Sequence, residues 1–157
     1  MKIYIINPDN GKPVTTEDWR KDAHPKRAQL LAIETDDDHL LLMRKSYLPG
    51  EHTFEEAQKA CAGFITPELG STNITFRCPT RKECIDIYDA RFQGLDEAIE
   101  LTGGDYAKRG RWHWTSERDS DPKYVANVAW FSYGYYGCLN LNTMYYSLLA
   151  LPVALLK

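Results

Sequence analysis

Two copies of one four-residue pattern, Thr53-x-x-Glu56 and Thr80-x-x-Glu83, fix where helices start in this chain. In such a pattern the threonine hydroxyl accepts from the backbone N–H three residues on. The glutamate reaches back to the threonine N–H, so two otherwise unpaired amides are satisfied at once. After the first box, Phe54, Ala57, Cys61 and Phe64 recur at helical spacing and predict one buried stripe, which Pro67 and Gly70 close. Pro79 holds the chain extended before the second box. Beyond it Ile85, Tyr88 and Phe92 are expected to form the apolar face, and Gly94 to break the helix. A short amphipathic piece, Leu95 to Leu101, follows, with Gly103-Gly104 at its C-terminal cap position.

Strands are expected on both sides of this helical middle. Ile3 to Ile6 reads as the first, ending in the turn Asn7-Pro8-Asp9-Asn10-Gly11. Residues 11 to 27 are polar and loop-like. Gln29 to Glu34 and His39 to Lys45 read as a hairpin around Thr35-Asp36-Asp37-Asp38. That acidic run reads as a solvated turn in preference to a calcium site, because it lacks the spacing of an EF-hand loop. Beyond Gly104, Trp112 to Ser116, Val125 to Ser132 and Ser147 to Leu155 read as strands. Strands, helices, then strands describe an α+β chain. Its 157 residues suggest one domain.

A net charge of -3 gives no electrostatic case for nucleic acid or an anionic membrane. The first ten residues lack a long apolar run and a small-residue cleavage site, so no export signal is read there. The expected location is the cytoplasm or a phage virion. The apolar tail Leu148 to Leu156 is too short to span a bilayer as a helix, so membrane insertion is not expected. Cys61, Cys78, Cys84 and Cys138 contain no CxxC pair, and free buried thiols are favoured over disulfides. Asp119-Ser120-Asp121 reads as a polar loop rather than a cation site. No nucleophile elbow, phosphate loop, dinucleotide fingerprint or zinc-protease motif occurs. Nothing in the spacing of His24, His39, His52 and His113 selects a catalytic base. The expectation is a protein that is not an enzyme and needs no cofactor.

The most unusual stretch is Tyr124 to Leu156, which contains no Asp, Glu, Lys, Arg, His or Gln. It holds Tyr124, Tyr133, Tyr135, Tyr136, Tyr145 and Tyr146, together with Asn127, Asn140 and Asn142. Tyrosine gives rigid contact area with a polar tip, and Ser, Gly and Asn give adaptable hydrogen bonds, the composition of binding loops. The ends, with Val125, Val128, Trp130, Leu148, Leu149 and Val153, read as core. The middle, Phe131 to Tyr146, reads as surface; the alternative is an aromatic core whose hydroxyls are satisfied internally. In extended chain Phe131, Tyr133 and Tyr135 share the face opposite Trp130. The candidate ligand-binding residues are Phe131, Tyr133, Tyr135, Tyr136, Asn140, Asn142, Tyr145 and Tyr146.

Three segments carry a resemblance. Phe76-Arg77-Cys78-Pro79-Thr80-Arg81-Lys82-Glu83 resembles a signature that opens a second helix. Trp114-Thr115-Ser116-Glu117 resembles a strand motif, and Asn127-Val128-Ala129-Trp130 with Leu151-Pro152-Val153 resembles a closing pattern. Together, over roughly residues 50 to 157, they resemble the Lcl C-terminal-type domain of bacterial and phage proteins. That family implies a C-type-lectin-like fold, two helices packed on short antiparallel strands. Leu151 stands where the family often has arginine, Cys78 replaces an apolar residue, and the first 50 residues match nothing. The calcium and sugar motifs of lectins with this fold are absent, so neither activity is carried over. The formylglycine-generating enzymes share the broad fold class but rely on paired cysteines, and Cys138 has no cysteine near it in sequence.

The middle segment is also similar to the variable proteins of diversity-generating retroelements, of the major tropism determinant type. These proteins vary in this stretch, and the composition fits with Met144 as a fixed position. The resemblance implies a binder of an unknown protein or surface ligand, diversified by a retroelement. The alternative is a non-diversified accessory or structural domain with its tyrosines packed inside.

Overall fold

A computed structural model describes residues 1–35, 38–66, 69, 74–106, 108, 111–118, 126–133, 136–143 and 147–156; for residue 118 and for 126–133 and 136–143 it describes the backbone alone. The strands are β1 (Ile3–Ile6), β2 (Pro13–Thr15), β3 (Leu30–Glu34), β4 (Leu40–Arg44), β5 (Arg111–Arg118), β6 (Ala126–Tyr133), β7 (Tyr136–Thr143) and β8 (Val153–Leu156). The helices are α1 (Thr16–Trp19), α2 (Phe54–Ala62), α3 (Arg81–Ala90) and α4 (Asp96–Thr102). The chain is α+β.

β2, β1, β3, β4 and β8 form an antiparallel sheet in that order, joining the early strands to the last one. β3 and β4 are almost wholly apolar because both of their faces are covered. On one face Ile5, Leu31, Ile33, Leu41 and Met43 meet Ile87, Ala90, Leu95, Ala98 and Ile99 from the helical layer. On the other, Ile6, Leu30, Ala32, Leu42 and Ala154 meet Phe64, Leu69, Ile74 and Phe76. The hairpin expected around the acidic turn is present, with Leu31 opposite Met43 and Ile33 opposite Leu41.

Both capping boxes form. Thr53 N donates to Glu56 Oε1 at 2.9 Å, and Glu56 N donates to Thr53 Oγ1 at 3.3 Å. Thr80 N donates to Glu83 Oε1 at 2.8 Å, with the return bond at 3.2 Å. Glu83 does more than cap: Arg77 donates to its two oxygens at 2.6 and 2.9 Å. Burial pushes the Glu83 carboxyl upward, but Arg77 and the Thr80 amide outweigh it and hold it below its ordinary value.

The core face of α3 differs from the expected one. Cys84, Ile87 and Ala90 are fully buried, whereas Ile85 is 44% and Phe92 49% exposed, and Tyr88 is intermediate. The small side chains of Cys84 and Ala90 let the helix approach the layer beneath and bury Ile87. The Tyr88 and Phe92 rings instead pack edge-to-face on each other at 5.2 Å beside the buried Arg91 guanidinium. Gly94, at φ 115°, ends this run, and Gly103, at φ 72°, caps α4 in the left-handed conformation.

Two further segments are more structured, or differently structured, than expected. Residues 11–27 hold β2, α1 capped by Thr15, and a 3₁₀ turn at Pro25–Arg27, because buried Trp19 anchors them by donating its indole N–H to Pro25 O at 3.0 Å. The expected last strand starts as single bridges, His52 with Leu148 and His113 with Leu149, and becomes a ladder only at Val153. Pro152, lacking an N–H, marks the place where the chain leaves β5 for β4. Among the described residues no helix is long and apolar enough to cross a membrane.

Candidate functional site

β5, β6 and β7 form a second antiparallel sheet in that order, and β5 is its fixed member. Trp114 is fully buried, edge-on to Phe54 of α2 at 5.6 Å, and its indole N–H donates to His52 O at 2.7 Å. His113, the preceding residue, is equally buried on the other side, with its ring 5.8 Å from Tyr47 and 6.1 Å from Tyr106. Gln58 of α2 donates to Thr115 O at 2.9 Å, and Ser116 N donates to Pro79 O at 2.9 Å. Glu117 accepts from the Arg81 amide at 2.6 Å, at the start of α3. Both helices therefore grip β5, which presents β6 and β7 beyond it.

β6 and β7 pair without a shift over their whole length. Asn127 stands opposite Asn142, Ala129 opposite Asn140, Phe131 opposite Cys138, and Tyr133 opposite Tyr136. Directly opposed residues of an antiparallel pair share a face, and alternate residues of one strand do too. Of the residues expected to bind, Phe131, Tyr133, Tyr136, Asn140 and Asn142 thus occupy register positions on a single face. Trp130, opposite Leu139, takes the other face, as alternation requires. Tyr135, Tyr145 and Tyr146 lie outside the described residues, and the expected exposure of the other five concerns side chains that lie outside them as well. Asp119-Ser120-Asp121 falls outside them too.

The β5 ladder adds a residue that composition did not single out. Trp112 stands opposite Phe131, and Trp114 opposite Ala129, so both indoles share the face of the candidate residues. Trp112 is half-buried and Trp114 fully buried. Sequence alternation places Trp112 and Trp114 together, but only the register shows that they stand beside Phe131. His113 stands opposite Trp130 on the other face. Burial drives its imidazole down to about 4, only partly countered by the hydrogen bond between Nδ1 and Trp114 O. A ring so deeply buried in an aromatic cluster is a core residue, not an accessible base.

Among the described residues no group of three or more His, Cys, Asp or Glu side chains could hold a metal ion. No protein-family model matches the chain, and a search of the curated proteins finds no match either.

Proposed function

We propose that the chain is a ligand-binding protein of C-type-lectin-like architecture. The β6–β7 face, with Phe131, Tyr133, Tyr136, Asn140 and Asn142, meets a protein or surface ligand. Supporting the architecture is the pairing of β4 with β8, with two capped helices and a separate three-stranded sheet between them in the chain. Supporting the function is one observation above others: the unshifted register that aligns five Tyr, Phe and Asn positions on one face of a hairpin. Aromatic anchors at one end of this ladder, with amide side chains toward the other, make such a face adaptable. Retroelement diversification of these positions is the finer form of the proposal, and it rests on composition.

A structural role is the second reading, and a specific observation favours it. Trp114 lies on the same face and is fully buried by α2. If the cover extends past β5, the tyrosines are core.

Two measurements separate the readings. The double variant Tyr133→Ala/Tyr136→Ala, followed by circular dichroism and thermal melting, should keep its fold and nearly its midpoint. Loss of the folded state assigns these residues to the core. The DNA flanking the gene should carry a reverse transcriptase and a near-copy of the segment encoding residues 125–146. Absence of both removes diversification and favours the accessory or structural reading.

A further inference from the structure

Cys61, at the end of α2, and Cys78, just ahead of α3, are brought together from different elements. Their sulfurs are 3.5 Å apart, and both residues are fully buried. They sit in an apolar cluster with Phe54, Ala57, Trp114 and Ala150. The same two arms of chain meet a second time, where the Phe64 and Phe76 rings pack edge-to-face at 4.9 Å. Backbone bonds hold each arm: Arg77 exchanges two with Val153, at 2.9 and 2.8 Å, and the α2 start is fixed by its capping box. The fold therefore brings the two thiols together, and the Cys78 thiol donates to the Cys61 sulfur.

We infer that Cys61 and Cys78 are a site of covalent modification, a dithiol that exchanges with a small disulfide such as oxidised glutathione and closes to a cystine joining α2 to the segment before α3. The chemistry balances without a metal. One cysteine thiolate attacks glutathione disulfide, forming a mixed disulfide and releasing one glutathione thiolate. The second cysteine then displaces the other glutathione. The two electrons lost by the cysteines reduce the glutathione disulfide, and their two protons end on the released glutathione thiols. The sulfurs, 3.5 Å apart, must close by about 1.5 Å to bond. Pairing with Cys78, and burial, hold the Cys61 thiol protonated well above its usual range. Exchange in the folded protein is accordingly slow, and closure occurs chiefly while the chain folds.

The test is refolding of the full chain from denaturant in a mixture of reduced and oxidised glutathione, with acid quenching, intact mass and peptide mapping. The expected product is lighter by two hydrogens and yields one cross-linked peptide pair containing Cys61 and Cys78. A Cys84→Ser/Cys138→Ser variant should give the same linkage, and Cys61→Ser should give none. Oxidised protein should have a higher denaturant midpoint than reduced protein, and the difference should vanish with added reductant. No cross-link, a mixture of linkages involving Cys84, or an oxidised form less stable than the reduced one would each overturn the inference. Because the readout is a bond and a midpoint, it is independent of any ligand.

Discussion

His113 and Trp114 are adjacent on β5, and both side chains are completely buried, the imidazole among Tyr47 and Tyr106 and the indole against Phe54. A strand with core on both faces cannot shed either residue to solvent.

That arrangement makes stability depend on pH. In the unfolded chain an imidazole titrates near 6.5, while in the fold His113 stays neutral down to about 4. As pH falls, the unfolded state takes up the proton first. Stability from this residue is therefore complete above about 6.5, declines between about 6.5 and 4, and falls no further below that. The loss should amount to about 3 kcal/mol. Denaturant midpoints measured across this range should drop in the wild type and stay much flatter in His113→Leu. Parallel curves for the two proteins would refute the assignment.

The two faces of α3 should respond unequally to substitution. Ile87→Ala empties a fully buried site and should cost about 2–5 kcal/mol. Ile85→Gln changes a half-exposed edge and should stay within about 0.5 kcal/mol of wild type. Urea denaturation of both variants measures this. A large loss for Ile85→Gln would mean that the stripe is covered in solution.

Each capping threonine should be worth about 0.5–2 kcal/mol when replaced by alanine. Thr80→Ala should cost more than Thr53→Ala, because Glu83 is also gripped by Arg77 and lies within the structure, whereas the Thr53 box is exposed. Chemical denaturation ranks them, and unchanged midpoints in both would show that the boxes do not matter.

Gly104 lies against the backbone of Lys45. A Cβ there would stand 2.4 Å from the Lys45 carbonyl oxygen, which already accepts from Tyr106 N. Gly104→Ala should cost about 1–3 kcal/mol. Gly63→Ala, whose Cβ meets nothing closer than 3.4 Å, should be neutral or slightly stabilising. Thermal melts of the pair would expose an error if their order were reversed.

Local chemistry made much of the fold readable. The helix starts rest on side chains three residues from the amides they satisfy, and the β3–β4 hairpin on two apolar runs around a polar turn. The face of α3 was not readable, because the largest apolar residues are not the ones that let a helix come close. Cys84 and Ala90 decided it by their smallness. β7 is defined by its ladder with β6, and Tyr, Asn and Gly in that stretch fit loop and strand alike. For the candidate residues, alternation placed Phe131 and Tyr133 on one face. The pairing that adds Tyr136, Asn140 and Asn142 to them, and sets Trp112 alongside, is a property of register. The approach of Cys61 to Cys78 depends on how two arms of chain cross, which no spacing encodes.

The ladder between β4 and β8 pairs residues more than a hundred positions apart, Leu41 with Leu155 and Met43 with Val153. Such contacts are made only after a large loop has been closed, and this slows folding. On a ribosome β1, β3 and β4 emerge close together and can pair among themselves, but the free side of β4 waits for a strand more than a hundred residues further on. Until β8 arrives, Leu40 to Met43 present an unpaired apolar edge, the kind of surface that invites another chain to add a strand. The nascent chain is thus vulnerable to aggregation through this edge in the interval before β8 emerges.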